Sequence, residues 1–269
     1  MTLHMTCAMR PAFPATKAAH NPMIQRMVTS ALFAGFAAGL FAALLHFAFV
    51  QKLILLGEQY ETGELTQFAS GSDAAKPSAH DHADPAQHID GKAHAHGDHV
   101  AGESSETIRN AWTVLFTSLV YVAYSLILVA GFALAEHFGK RITAREGLLW
   151  GIAGFAAFQL MPAMGLAPEL PGTIAAELPL RQIWWWGTAG ATALGLAIIG
   201  YGRGVLPIIA AVLLVAAPHV IGAPEAAQYG GMAPPELAAT FAARVLGVGL
   251  IAWAVLGWVA GYVWSSRSA

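Results

Sequence analysis

Six apolar runs constrain this chain more than any other feature: Met27 to Val50, Ala111 to Ala135, Gly147 to Leu166, Ile183 to Tyr201, Val205 to Ile221 and Leu237 to Val263. A helix needs roughly 20 apolar residues to cross a hydrocarbon core about 30 Å thick, and inside that core its backbone must satisfy its own hydrogen bonds. All six runs can span, the fifth being the shortest. The expected fold class is therefore all-α, a polytopic transmembrane helical bundle of six spans. The turn from Tyr201 to Gly204 leaves an alternative: a re-entrant or half helix on either side of it would leave five. Composition agrees, with 56% of residues hydrophobic and 11% charged, against about 25% charged in a usual soluble domain.

Between and beyond these runs the chain divides by composition. Residues 1–22 lack apolar periodicity and carry three prolines. They read as a disordered leader or an upstream mis-start, with Met23 or Met27 as alternative starts. Residues 23–50 form the first span; its basic flank at Arg26 resembles a signal peptide, but its length and the lack of an A-x-A site mark it as retained. Residues 51–110 form a polar, His-rich loop. Its centre has too little apolar surface to offset the entropy of ordering, so order is expected only towards its ends, near Glu58 to Glu61. Residues 111–263 hold the other five spans, and residues 264–269 a short tail.

Basic residues fix the orientation. With the N-terminus in the cytoplasm, Arg26, the cluster Lys140, Arg141 and Arg145, and then Arg203 and Arg267 fall inside, while the 222–236 connection outside carries no basic residue. Six spans put both termini in the cytoplasm of a bacterial inner membrane. The polar loop then faces the periplasm or the cell exterior.

That loop holds the stretch HDHADPAQHIDGKAHAHGDH, in which His80, His82, His88, His94, His96 and His99, six of the eleven histidines, alternate with Asp81, Asp84, Asp90 and Asp98. Neutral imidazole and carboxylate suit borderline divalent cations, and such a tract binds them without a packed core. Having no fixed geometry, it concentrates metal rather than choosing among metals. The single cysteine, Cys7, precludes an internal disulfide or a thiolate cluster. No phosphate loop, H-E-x-x-H motif or G-x-S-x-G elbow is present, and no nucleophile and base stand in a recognisable spacing, so the chain does not read as an enzyme. Nor is there a basic surface for nucleic acid.

The topology gathers a second set of polar residues at the outer helix ends. Glu58 and Glu61 follow the first span; Glu169, Glu177 and Arg181 lie between the third and fourth; His219 ends the fifth, with Glu225 and Glu236 beyond it. Of these, Glu58, Glu61, Glu169 and His219 are the candidate metal-admitting rim, their oxygens and imidazole matching Co²⁺, Ni²⁺ or Zn²⁺. Within the spans, His46 and Gln159 are candidates because burying an unpaired polar group is costly. Met161 and Met164 bracket Pro162 and offer either packing or soft thioether donors. Trp184, Trp185 and Trp186 read as an interfacial aromatic belt. Gly35/Gly39, Gly147/Gly151 and Gly257/Gly261 repeat the G-x-x-x-G spacing that lets helices approach closely in lipid.

Several strings taken together, LILLGEQYE (Leu53 to Glu61), EGLLWGIAGFAAFQLMPAMGLAPELPG (Glu146 to Gly172), RQIWWWGTA (Arg181 to Ala189), PHVIGAP (Pro218 to Pro224) and PPELAATF (Pro234 to Phe241), resemble the CbtA family of probable cobalt transporter subunits. The resemblance runs from about Met23 to Val263. It implies a cytoplasmic-membrane protein of about five spans that serves cobalt uptake for cobalamin synthesis beside a small partner subunit of CbtB type. The family's histidine cluster is associated with that partner, which makes the tract of this chain an addition. The expected function is thus the membrane subunit of a divalent metal uptake system, cobalt first and nickel or zinc as alternatives. The competing reading is a non-transporting membrane sensor or scaffold whose loop buffers zinc, nickel or copper.

Overall fold

The computed structural model describes residues 22–67 and 98–266. All of the leader but Pro22, the histidines from His80 to His96 and the last three residues of the tail lie outside the described residues. Within the described residues every regular element is helical: α1 (Pro22–Phe49), α2 (Gln51–Glu61), α3 (Asp98–His137), α4 (Ala144–Phe155), a π-helical turn (Ala156–Leu160), α5 (Met161–Ala163), α6 (Leu178–Tyr201), α7 (Val205–Ile221) and α8 (Pro235–Ser266).

All six apolar runs are helical, but they differ in reach. Four helices are long and apolar enough to cross a membrane: Met23–Phe49, Ser105–His137, Leu178–Tyr201 and Pro235–Ser266. The stretch Val205–Ile221 is a shorter apolar helix. The third run is not a uniform helix; α4, the π-helical turn and α5 follow one another as one rod over residues 144–163. Pro162 lacks the N–H that an α-helix would use there, and the rod answers by widening: the Met161 N–H donates to the Ala156 carbonyl, five residues back.

Helix also reaches into the segment read as a polar loop. In α2 the apolar piece Leu53–Ile54 packs on a small cluster formed by Val50, Leu170 and Phe241, and this burial holds a helix that its polar face would not sustain alone. Helix α3 starts at Asp98, ahead of its apolar run; from Glu103 to Ala130 no glycine or proline interrupts it, so the helix propagates past the apolar boundary. It stops at Gly139, whose φ of 76° is open to glycine and lets the Lys140 N–H reach back to the Ala135 carbonyl at 3.0 Å.

The glycine pairs set the packing. A Cβ on Gly35 would stand 2.5 Å from the Val122 Cα, and one on Gly39 2.5 Å from the Ser118 Cα, so α1 and α3 touch backbone to backbone. Gly147 and Gly151 of α4 meet Gly257 and Gly261 of α8 in the same way. Around these contacts Trp253, Trp264, Phe132, Leu256 and Val129 are fully buried and make one core between α1, α3, α4 and α8. Helix α7 packs on α6 alone among the described elements. Its Val205, Leu206, Leu213 and Val220 point outward, as do Phe33 of α1 and, about three turns further along the same face, Leu44, giving the apolar sheath that a lipid-facing bundle requires.

Both ends of the bundle are tied. At one end Arg26, Glu136 and Trp264 join α1, α3 and α8: the guanidinium donates to both Glu136 carboxylate oxygens at 3.2 Å and to the Trp264 carbonyl at 2.9 Å. At the other end Gln51 donates to Asn110 at 3.0 Å. There the loop before α6 pairs with the loop before α8 through a bridge between Thr173 and Gly231.

Candidate functional site

The end carrying the Thr173–Gly231 bridge is where the expected rim residues gather, because α1 and α2 finish there, α3, α6 and α8 begin there, and α5 and α7 finish there. The rim does not form one cluster. Its members divide into two groups.

On the α2 side, Glu58 faces Arg109 of α3 with Oε2 3.9 Å from the guanidinium, and both side chains are about half exposed. A pair of that length and exposure contributes little stability. Glu61 lies over Gly172, which has a φ of 74°; a Cβ there would come within 3.3 Å of the Glu61 side chain. Glycine at this position thus permits both the turn and the approach of α2.

The other group surrounds a cleft of about 610 Å³ between the two paired loops, the start of α6 and the end of α7, whose walls include Met164, Glu169, Trp184, His219, Glu225 and Tyr229. Two of the four rim residues, Glu169 and His219, therefore share a cavity. His219 sits in the last turn of α7, just after Pro218. Its ring stands edge-on to Trp184 at 5.8 Å between centroids, and its Nε2 is buried with no hydrogen-bond partner among the described residues. The Trp184 indole N–H donates to the Pro218 carbonyl at 3.2 Å, so Trp184 fixes both the helix end and the imidazole face. A triple tryptophan reads as an aromatic belt from sequence, and this positioning contact leaves no mark in local spacing. Trp186, largely exposed, fits the belt.

Glu169 is held by Arg181 at 2.7 Å. This pair forms part of the wall of a second cleft, of about 460 Å³, which descends past Pro162 and Trp185 to Gln159, Phe158 and Tyr124. Gln159 lies in the π-helical turn with its Oε1 packed against Gly249 of α8 and without a hydrogen-bond partner among the described residues. Met164 is exposed and lines the first cleft beside His219. His46 is half-buried on α1 with its ring against Phe47, away from both clefts.

Among the described residues no three histidine, cysteine or acidic side chains stand close enough together to hold a metal ion. One imidazole and nearby carboxylates can instead meet a cation that keeps part of its water shell, each replacing a water without enclosing the ion. Of the six tract histidines only His99 falls within the described helices, in the first turn of α3.

Neither the curated proteins nor the solved structures provide a match. The family model described as probable cobalt transporter subunit (CbtA) matches residues 24–265, nearly all of the chain and all eight helices but the terminal residues of α1 and α8. This chain therefore belongs to the CbtA family, a multi-pass membrane protein of a cobalt transporter subunit type.

Proposed function

We propose that this chain is the membrane subunit that admits Co²⁺ from the outer face, with Glu169 and His219 as the first ordered ligands and Glu58 and Glu61 as acidic approaches. The observation that carries this reading is the His219 Nε2, buried and unpartnered in a cleft that Glu169 and Glu225 also line. A buried ring nitrogen without a partner costs free energy that a metal ion or its bound water would recover.

The topology that goes with it has six crossings and both termini in the cytoplasm of a bacterial inner membrane. The rod over residues 144–163 would cover about 30 Å and α7 about 25 Å, against a core of about 30 Å. Charge supports the orientation. Arg26, Lys140, Arg141, Arg145 and Arg203 gather at the end opposite the rim, and the 222–236 connection at the rim end carries no basic residue, the asymmetry that the positive-inside rule associates with a cytoplasmic face. Energy need not come from ATP, since a dication moving inward gains about 4.6 kcal/mol per 100 mV of negative-inside potential. A small subunit of CbtB type is the proposed partner, cobalamin synthesis the proposed destination, and the His80–His99 tract the outer collector. Nickel and zinc satisfy the same ligands, so selection rests on the ordered rim.

Cobalt accumulation in cells carrying the chain with its partner tests this reading. His219→Ala and Glu169→Gln should each lower uptake roughly tenfold at limiting metal, with the chain still present in the membrane. Uptake equal to a vector control for the unaltered chain would support the scaffold or sensor reading instead, and unchanged uptake in His219→Ala would remove that residue from the site.

A further inference from the structure

The opposite end of the bundle carries a cavity that the transport reading does not use. A groove of about 410 Å³ runs between α3, α4 and α6, walled by Ile127, Leu149, Trp150 and Leu196, with Tyr124, Phe158 and Trp253 at its inner end and Lys140, Arg141 and Tyr201 at its mouth. We propose that this groove binds one anionic phospholipid, its phosphate held by Lys140 and Arg141 and one acyl chain lying along the groove.

Four observations support this occupant. The first is charge. Lys140 and Arg141 lie in the short connection between α3 and α4 and form no ion pair among the described residues, unlike Arg26, Arg109 and Arg181. Basic sites between membrane helices on the cytoplasmic side suit anionic head groups. The carboxylate at the mouth, Glu146, is held by Thr143, whose backbone N–H donates to it at 3.1 Å and whose hydroxyl also donates to it, closing the N-terminus of α4; it keeps its charge, so Lys140 and Arg141 face one anion and leave the mouth with a net positive charge.

The second is lining. The groove walls are overwhelmingly hydrocarbon, so a hydrated dication entering here would lose water with nothing to replace it. An acyl chain loses nothing. The third is access: Ile127, Leu149 and Tyr201 are each about half exposed on the side of the bundle, and a Cβ on Gly200 would meet nothing within 4 Å, so the groove opens laterally to the bilayer. The fourth is depth. From Glu146 to Phe158 the rod advances about 18 Å, close to half of a 30 Å core, which is the depth of one leaflet. A head group at Lys140 and Arg141 would place its chain end at the Phe158–Trp253 stack, where the rings lie 5.9 Å apart at 10°. The Lys140 Nζ stands 5.9 Å from the Tyr201 ring, which keeps it beside the mouth.

This inference is independent of what the rim at the other end binds. Native mass spectrometry of the purified full-length chain, offered equal phosphatidylglycerol and phosphatidylcholine of the same acyl composition, tests it. The chain should retain phosphatidylglycerol with a preference of roughly tenfold or more. Lys140→Gln with Arg141→Gln should bring the ratio near parity, and Ala197→Trp, which fills the groove while leaving the charges, should remove the bound lipid altogether. Arg203→Gln, at the same end but outside the groove, should leave the ratio unchanged. No preference in the unaltered chain, or a preference that survives both groove variants, overturns the proposal. So does loss in Arg203→Gln equal to that in the double variant, which would mean surface charge alone, or displacement by inorganic phosphate, which would mean a free-anion site. Thermal unfolding of each variant in detergent separates loss of lipid from loss of fold.

Discussion

Arg26 of α1 and Glu136 of α3 face each other as a two-armed ion pair, with both guanidinium nitrogens 3.2 Å from carboxylate oxygens and side-chain exposures of 18% and 25%. Trp264 of α8 closes the pair: its indole N–H donates to the same carboxylate at 2.7 Å and its ring lies 3.8 Å under the guanidinium. Three helices are thereby locked at the end opposite the rim. Removing one partner leaves a part-buried charge, so Arg26→Gln or Glu136→Ala should each lower stability by about 1–3 kcal/mol. The paired replacement Arg26→Leu with Glu136→Leu should cost less than the sum of the single changes. Thermal unfolding in detergent measures all three, and strict additivity would show that the two side chains do not act together.

The glycine seam between α4 and α8 sets a sharper expectation. A Cβ at Gly151 or Gly257 would collide with backbone of the facing helix, whereas one at Gly187 or Gly190 of α6 would meet nothing within 4 Å. Backbone cannot yield as a side-chain tip can. Gly257→Val should therefore abolish a monodisperse, folded preparation, and Gly190→Val should leave yield and elution volume close to those of the unaltered chain. Equal tolerance at both positions would mean that α4 and α8 do not touch as described.

That seam was legible in sequence, because the four-residue spacing of small residues is itself the device that brings backbones together. The helical class and the positions of all six apolar runs were legible for the same reason: hydrocarbon imposes one solution on the backbone. What spacing did not carry was anything decided between distant segments. Glu58 and Glu169 stand out as acidic residues beside spans, but their partners Arg109 and Arg181 are set by how α2 meets α3 and how the loop after α5 folds back on α6. Trp184 likewise looks like a membrane-interface residue until α7 places His219 against it. The π-helical turn had only an indirect signal, Pro162 in an otherwise helical run.

The Glu169–Arg181 pair at 2.7 Å has its own consequence for the rim. A carboxylate already engaged by a guanidinium must release it, at least in part, before accepting a cation. If Glu169 is a ligand, Arg181→Gln should lower the cobalt concentration for half-maximal uptake severalfold, and Glu169→Gln should raise it. Concentration series for the two variants in the same cells decide the point. Opposite shifts place the carboxylate in the metal's path, while equal losses in both would make the pair a structural strut between α6 and the preceding loop.

The histidine tract is expected to act by capture rather than selection, and the place of its last member in the chain sharpens that expectation. Its last member, His99, lies in the first turn of α3, and the helix from there to Arg109, the partner of Glu58, is about 15 Å long. Metal leaving the tract would thus emerge within reach of the acidic approach. Replacing His80, His82, His88, His94, His96 and His99 by glutamine keeps the length of the chain and removes only the imidazoles. Uptake should then fall when cobalt is scarce and remain nearly intact when it is abundant; complete loss in both conditions would return the tract to the centre of the mechanism. Acid should imitate the substitution. An ordinary imidazole titrates near 6.5, so protons displace metal as pH falls below that value and leave the sites free above it. The six-histidine variant and the unaltered chain should therefore differ in cobalt binding at about pH 7.5 and converge at about pH 5, as read by equilibrium dialysis of the purified proteins. A difference that persists undiminished at the lower pH would assign the affinity to the interleaved aspartates instead of the histidines.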